Sequence, residues 1–132
     1  MAYLPRALAF VAALSFAAAG ASGADRLKVD FTKKSTGHRR GLQYEYTFKV
    51  TSAETGEPVP GAEFTVVADM PAMRGHHPTR PAAAAAGDTV GTYRATLHFF
   101  MAGEWELKLE FKTPRRDELA ILDTVEVGKQ AD

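Results

Sequence analysis

Between Leu42 and Val50 every second residue, apart from its polar neighbours, is apolar: Leu42, Tyr44, Tyr46, Phe48 and Val50. A period of two places these side chains on one face of an extended strand and the intervening residues on the other. The same alternation recurs at Leu27, Val29 and Phe31, and at Phe64, Val66 and Ala68, running into Met70. It returns at Tyr93, Ala95, Leu97 and Phe99, running into Met101, and at Trp105, Leu107, Leu109 and Phe111. A less regular stretch around 119–127 offers Ile121, Val125 and Val127 as buried positions. Breakers separate the runs, among them Thr55-Gly56-Glu57-Pro58 and Thr113-Pro114-Arg115-Arg116-Asp117. Five or six short half-buried strands predict an all-β fold, an immunoglobulin-like antiparallel β-sandwich with Trp105 as its largest core piece. Helix is expected to be minor.

The N-terminal segment follows a different rule. Arg6 is the only charge before Asp25, and it precedes an apolar run, Ala7 to Ala19, short for a bilayer span. Gly20, Ala21, Ser22, Gly23 and Ala24 follow. A positive start, a short apolar stretch and small residues describe a secretory signal peptide over 1–24, with an uncleaved anchor as the alternative. The expected location is periplasmic or secreted, with no stable membrane anchor after signal cleavage. Residues 25–132 then form one domain, since about 108 residues suit a single core and hardly two.

Composition narrows the chemistry. The chain has no cysteine, so it has neither disulfide nor thiolate. Removing Arg6 from 16 basic residues leaves 15 against 16 acidic ones. That balance gives no electrostatic case for nucleic acid or an anionic membrane surface. A nucleophile elbow, a His-Glu-x-x-His helix and a phosphate loop are all missing from the sequence, and Glu104 and Glu106 flank a core Trp on a solvated face. The reading is therefore not an enzyme.

One connection is out of scale. Pro71 to Gly87 runs 17 residues without a strand pattern, and its second half, Pro81 followed by five alanines, reads as a flexible arm. Its first half, with the end of the strand before it, reads Asp69-Met70-Pro71-Ala72-Met73-Arg74-Gly75-His76-His77-Pro78. Thioethers are soft donors that favour Cu(I), and imidazole binds copper and zinc. Met70 and Met101 both end strands, so both are expected at one rim of the sandwich, where Met101 could complete a set with Met70, Met73, His76 and His77. The plain structural alternative is that Met70 and Met101 plug the end of the core, and that Asp69 only turns the chain. His98 reads as a solvated strand residue, and His38 as a solvated loop residue.

These residues also resemble a known family. Val67-Ala68-Asp69-Met70-Pro71-Ala72-Met73, then His76 or His77-Pro78, Gly91-Thr92-Tyr93, and Phe99-Phe100-Met101-Ala102-Gly103-Glu104-Trp105-Glu106-Leu107 are similar to the motifs of YtkA-like domains. More distantly they resemble the periplasmic part of FixH-type proteins. The resemblance spans roughly Leu42 to Phe111 and implies an immunoglobulin-like sandwich in an exported or membrane-attached protein, with relatives linked to copper handling. Carried over by position, it implies Met70, Met73, His76 or His77, and Met101 as ligands. The expected function is a Cu(I) carrier or chaperone with a partner protein for copper transfer. The rival expectation is a metal-free interaction or structural module.

Overall fold

The structure is a computed structural model that describes residues 26–130. The segment read as a signal peptide lies outside the described residues. Eight strands follow in order: β1 (Leu27–Ser35), β2 (Gln43–Ser52), β3 (Glu63–Asp69), β4 (Ala82–Ala83), β5 (Ala85–Ala86), β6 (Thr92–His98), β7 (Gly103–Thr113) and β8 (Asp117–Val125). They form two four-stranded antiparallel sheets, ordered β1-β2-β6-β5 and β4-β3-β7-β8. This is the all-β sandwich that the alternation predicts.

Register follows directly from the apolar period. Tyr44, Tyr46 and Phe48 of β2 stand opposite Leu97, Ala95 and Tyr93 of β6. Val66 and Ala68 of β3 stand opposite Leu109 and Leu107 of β7. A slip of one residue would turn each set outward, so the buried face fixes the pairing. The two inner faces interlock through rings. Phe64 stacks on Phe111 of its own sheet at 4.5 Å between centroids and meets Tyr93 of the other sheet edge-on at 5.5 Å. Phe99 packs edge-on against Trp105 at 5.0 Å. Trp105 is fully buried, as the sequence predicts, and its indole N–H donates to the Met101 carbonyl at 3.0 Å. That bond removes the cost of burying an indole donor unpaired.

Three sequence expectations need correction. The alanine tract is not a free arm. Ala82–Ala83 pairs with β3 and Ala85–Ala86 pairs with β6, so one short segment closes the edge of both sheets on the same side. Alanine suits this, because its small side chain lets the chain cross between the layers. Val127 is 57% exposed, since β8 ends at Val125 and the strand parity stops there. Met101 does not plug the core. β6 ends at His98, and Met101 lies in the turn to β7 with its side chain 42% exposed.

The opposite side of the sandwich, between the edge strands β1 and β8, is closed by polar groups. Lys33 Nζ contacts Asp123 Oδ2 at 2.7 Å and donates to the Thr124 carbonyl at 2.6 Å. Tyr46 donates its hydroxyl to the same Asp123 oxygen at 2.6 Å. The Lys33 ammonium also lies 4.9 Å above the Tyr44 ring. Burial, then the bond to Asp123, pushes the Tyr46 phenol well above its ordinary value of 10.0. After β8 the chain crosses back over the β1–β2 turn. Gly128 donates to the Gly41 carbonyl at 2.8 Å, and Tyr44 donates to the Glu126 carbonyl. Gly41 has φ +78°, and a β-carbon there would stand 2.4 Å from the Gly128 carbonyl oxygen, so the tail's path requires glycine.

Candidate metal centre

Antiparallel pairing decides which loops share an end of the sandwich. Gln43 at the start of β2 opposes His98 at the end of β6. Asp69 at the end of β3 opposes Glu106 near the start of β7. The turn from β6 to β7 joins the two sheets at this end, and Phe99 N–H donates to the Leu42 carbonyl at 2.9 Å. The rim therefore carries the β1–β2 turn, the 70–79 loop and the 99–102 turn. All four histidines of the chain, His38, His76, His77 and His98, stand here. So does every methionine among the described residues: Met70, Met73 and Met101.

The 70–79 loop is built from its own backbone bonds. One Asp69 carboxylate oxygen accepts from Met70 N–H at 2.9 Å, and the other accepts from Gly75 N–H at 2.9 Å. Asp69 thus turns the chain, as its position predicts. Pro71 opens a single 3-10 turn, Pro71–Met73, in which Met73 N–H donates to the Met70 carbonyl at 3.0 Å. His76 N–H then donates to the Met73 carbonyl at 3.1 Å. At the base, Thr79 is 3% exposed and bonds Ala68 twice: its N–H donates to the Ala68 carbonyl, and its hydroxyl oxygen accepts from Ala68 N–H, each at 2.9 Å. Arg74 reaches across to Glu106 of β7 at 2.9 Å. That hydrogen bond holds the Glu106 carboxyl below its ordinary value of 4.5, against the opposing effect of desolvation.

Each expected ligand has a definite place. Met70 is buried in the core, with its methyl group facing Gly103 at the start of β7. Met73 is half-buried and packs against the core. His76 and His77 are exposed, and Met101 stands outside the core in the opposing turn. The His77 ring lies 5.5 Å from the Phe100 ring, which joins the loop to the 99–102 turn. Among the described residues, no three His, Asp or Glu side chains form a metal-binding group. The soft donors that stand at this rim are the thioethers of Met70, Met73 and Met101.

Sequence reasoning missed two members of the rim. His98 is exposed on the outer face of β6, as expected, but its ring lies 5.9 Å from Phe100. Phe100 itself, 55% exposed, is the common neighbour of His77 and His98. The signal was available: a strand ending at His98 and a turn back at Gly103 must place residue 100 at the tip, beside whatever loop the other sheet presents.

A family model described as YtkA-like matches residues 22–110, which include the 70–79 loop and the 99–107 segment. No curated protein matches the chain, and no solved structure does.

Proposed function

We propose, on the premise that this chain belongs to the YtkA-like family, that it is an exported, non-catalytic domain that carries Cu(I) to a partner protein. The ligands in this reading are Met70, Met73, one of His76 and His77, and Met101. The observation that carries it is the gathering of all described methionines and all four histidines at one end of the sandwich. A random scatter would spread them over both ends and both faces.

The chain's own groups would prepare the site. Asp69 and Pro71 fix the turn that sets Met70 and Met73, which lowers the entropy lost when the donors close on the cargo. Arg74 ties the loop to β7. Cu(I) as cargo prefers thioether over harder donors, so zinc is disfavoured by donor type. Met101 and the two histidines stand in solvent, where a partner can replace them one after another. A buried Met70 is the last donor to let go in such an exchange.

A competitive Cu(I) titration against a chromophoric chelator tests this reading. Tight binding of one equivalent, weakened in Met73→Ala/Met101→Ala, supports it. No competition by the wild-type protein sinks it. The exposed Phe100 and Met101 side chains favour a second reading, a metal-free docking module. It expects partner binding that is indifferent to copper and to the methionine substitutions.

A further inference from the structure

The flank between β1 and β8 is closed near the rim by Lys33 and Asp123, and toward the far end it stays open. Val29 and Phe31 of β1 point inward beside Val50 and Phe48 of β2, and Leu119 and Ile121 of β8 do so beside Leu109 and Leu107 of β7. The four residues on β2 and β7 are fully buried, whereas the four on the edge strands are only half-buried. Solvent therefore enters between the sheets along this edge and stops at the second strand of each. From Leu27 to Phe31 the slot runs about 13 Å along β1.

Where β1 and β8 begin, the slot meets an open cavity of about 450 Å³. Leu27, Ala53 and Leu119 supply its apolar wall. Arg26, Lys28 and Arg115 supply its positive charge, and Asp117 is the one acid that lines it. Arg115 holds Asp117 at 3.5 Å, so the other two lining charges, Arg26 and Lys28, are both positive. Glu54 accepts from the Arg26 backbone N–H at 3.0 Å and lies outside the lining. An apolar recess with a few convergent charges is the usual build of a small-molecule site. We propose that this cavity binds a single-chain anionic amphiphile, of which a fatty acid is the simplest. The carboxylate sits at Arg26 and Lys28, held by charge-assisted hydrogen bonds. The hydrocarbon chain lies in the slot against Val29, Phe31, Leu119 and Ile121 and leaves water there. The site stands at the opposite end of the sandwich from the methionines and histidines, and does not rest on the metal reading.

The test is calorimetric titration of the protein with decanoate below its micelle concentration. Amide NMR spectra locate the contact, and far-UV circular dichroism is the folding control. The wild type is expected to bind one equivalent, with shifts at Leu27, Ala53 and Leu119. Octanoate and hexanoate are expected to bind progressively more weakly, by about fourfold for each methylene lost. Arg26 and Lys28 are exposed, so Arg26→Glu and Lys28→Glu leave the core intact. Each is expected to weaken decanoate by at least about tenfold. Ile121→Gln is expected to weaken decanoate with the fold retained. Equal affinity for hexanoate and decanoate would reduce the cavity to a plain anion site and overturn the proposal. Wild-type affinity in both charge variants, shifts confined to the 70–79 loop and the 99–102 turn, or no binding by the wild type would overturn it as well.

Discussion

Gly103 and Met70 meet where the core ends: a β-carbon on Gly103 would stand 2.8 Å from the Met70 methyl carbon. The methyl group is the far end of a flexible side chain and can give way. The backbone cannot, because Gly103 has φ +143°, a conformation hostile to any side chain. Strain therefore dominates over the clash. Gly103→Ala is expected to lower stability by at least about 1 kcal/mol, measured by urea unfolding. Met70→Leu keeps volume and is expected to cost less than about 1.5 kcal/mol. A Gly103→Ala protein as stable as the wild type would refute the strain argument.

Thr79→Val leaves Ala68 N–H buried without its partner, since the Thr79 hydroxyl accepts from it at 2.9 Å. An unsatisfied buried donor costs about 1–3 kcal/mol. Amide hydrogen exchange at Ala68 should accelerate in the variant while exchange in β6 stays slow. Equal protection at Ala68 in both proteins would show that the hydroxyl does not hold the loop base.

Tyr46 links stability to alkaline pH. Its phenol is raised in the folded state by burial first and by Asp123 second. A group whose folded value is raised contributes stability that is fully present below its unfolded value, here 10.0, and lost as pH rises toward the folded one. Above pH 10 the unfolded chain ionises and the folded one does not, so unfolding becomes easier by up to about 1.4 kcal/mol per pH unit. Tyr46→Phe is expected to lose about 1 kcal/mol at neutral pH, yet to show a shallower alkaline decline. Identical alkaline slopes would mean that the phenol is not protected.

Glu106 acts at the other end of the scale. Its carboxyl is held below 4.5 chiefly by the hydrogen bond from Arg74. A depressed group contributes stability that is present above its unfolded value and lost as pH falls through the folded one. The pair is open to solvent, so its effect on stability is small. Its effect on titration is the better readout: in Arg74→Ala, the Glu106 carboxyl should return toward 4.5 in a proton-detected pH titration. An unmoved Glu106 would exclude Arg74 as the cause.

The strands were legible because alternation is a strong signal where one face is buried: Tyr44, Tyr46, Phe48 and Val50, and Trp105, Leu107, Leu109 and Phe111, all face inward while the residues between them do not. The alanine tract was not, since alanine carries no period that separates a strand from a free segment, and its pairing depends on β3 and β6 lying nearby. Met101 followed the parity of β6 on paper, but the strand stops at His98 and the turn releases the next residues. At the rim, Met70, Met73, His76 and His77 were visible as a sequence cluster. His98 and Phe100 were not, because their neighbours come from the other sheet and only the pairing of β2 with β6 brings that end of the chain round.

The two ways of closing the sandwich sides have a consequence for how anything can approach it. One flank ends in β4 and β5, each two residues long, with Pro81 just before them. The other ends in β1 and β8, where Lys33 and Asp123 point inward and grip each other. Very short edges and inward charges both discourage a foreign strand from adding alongside. Visitors are thereby turned away from the flanks and directed to the ends, and one of those ends is the rim where the histidines and methionines stand.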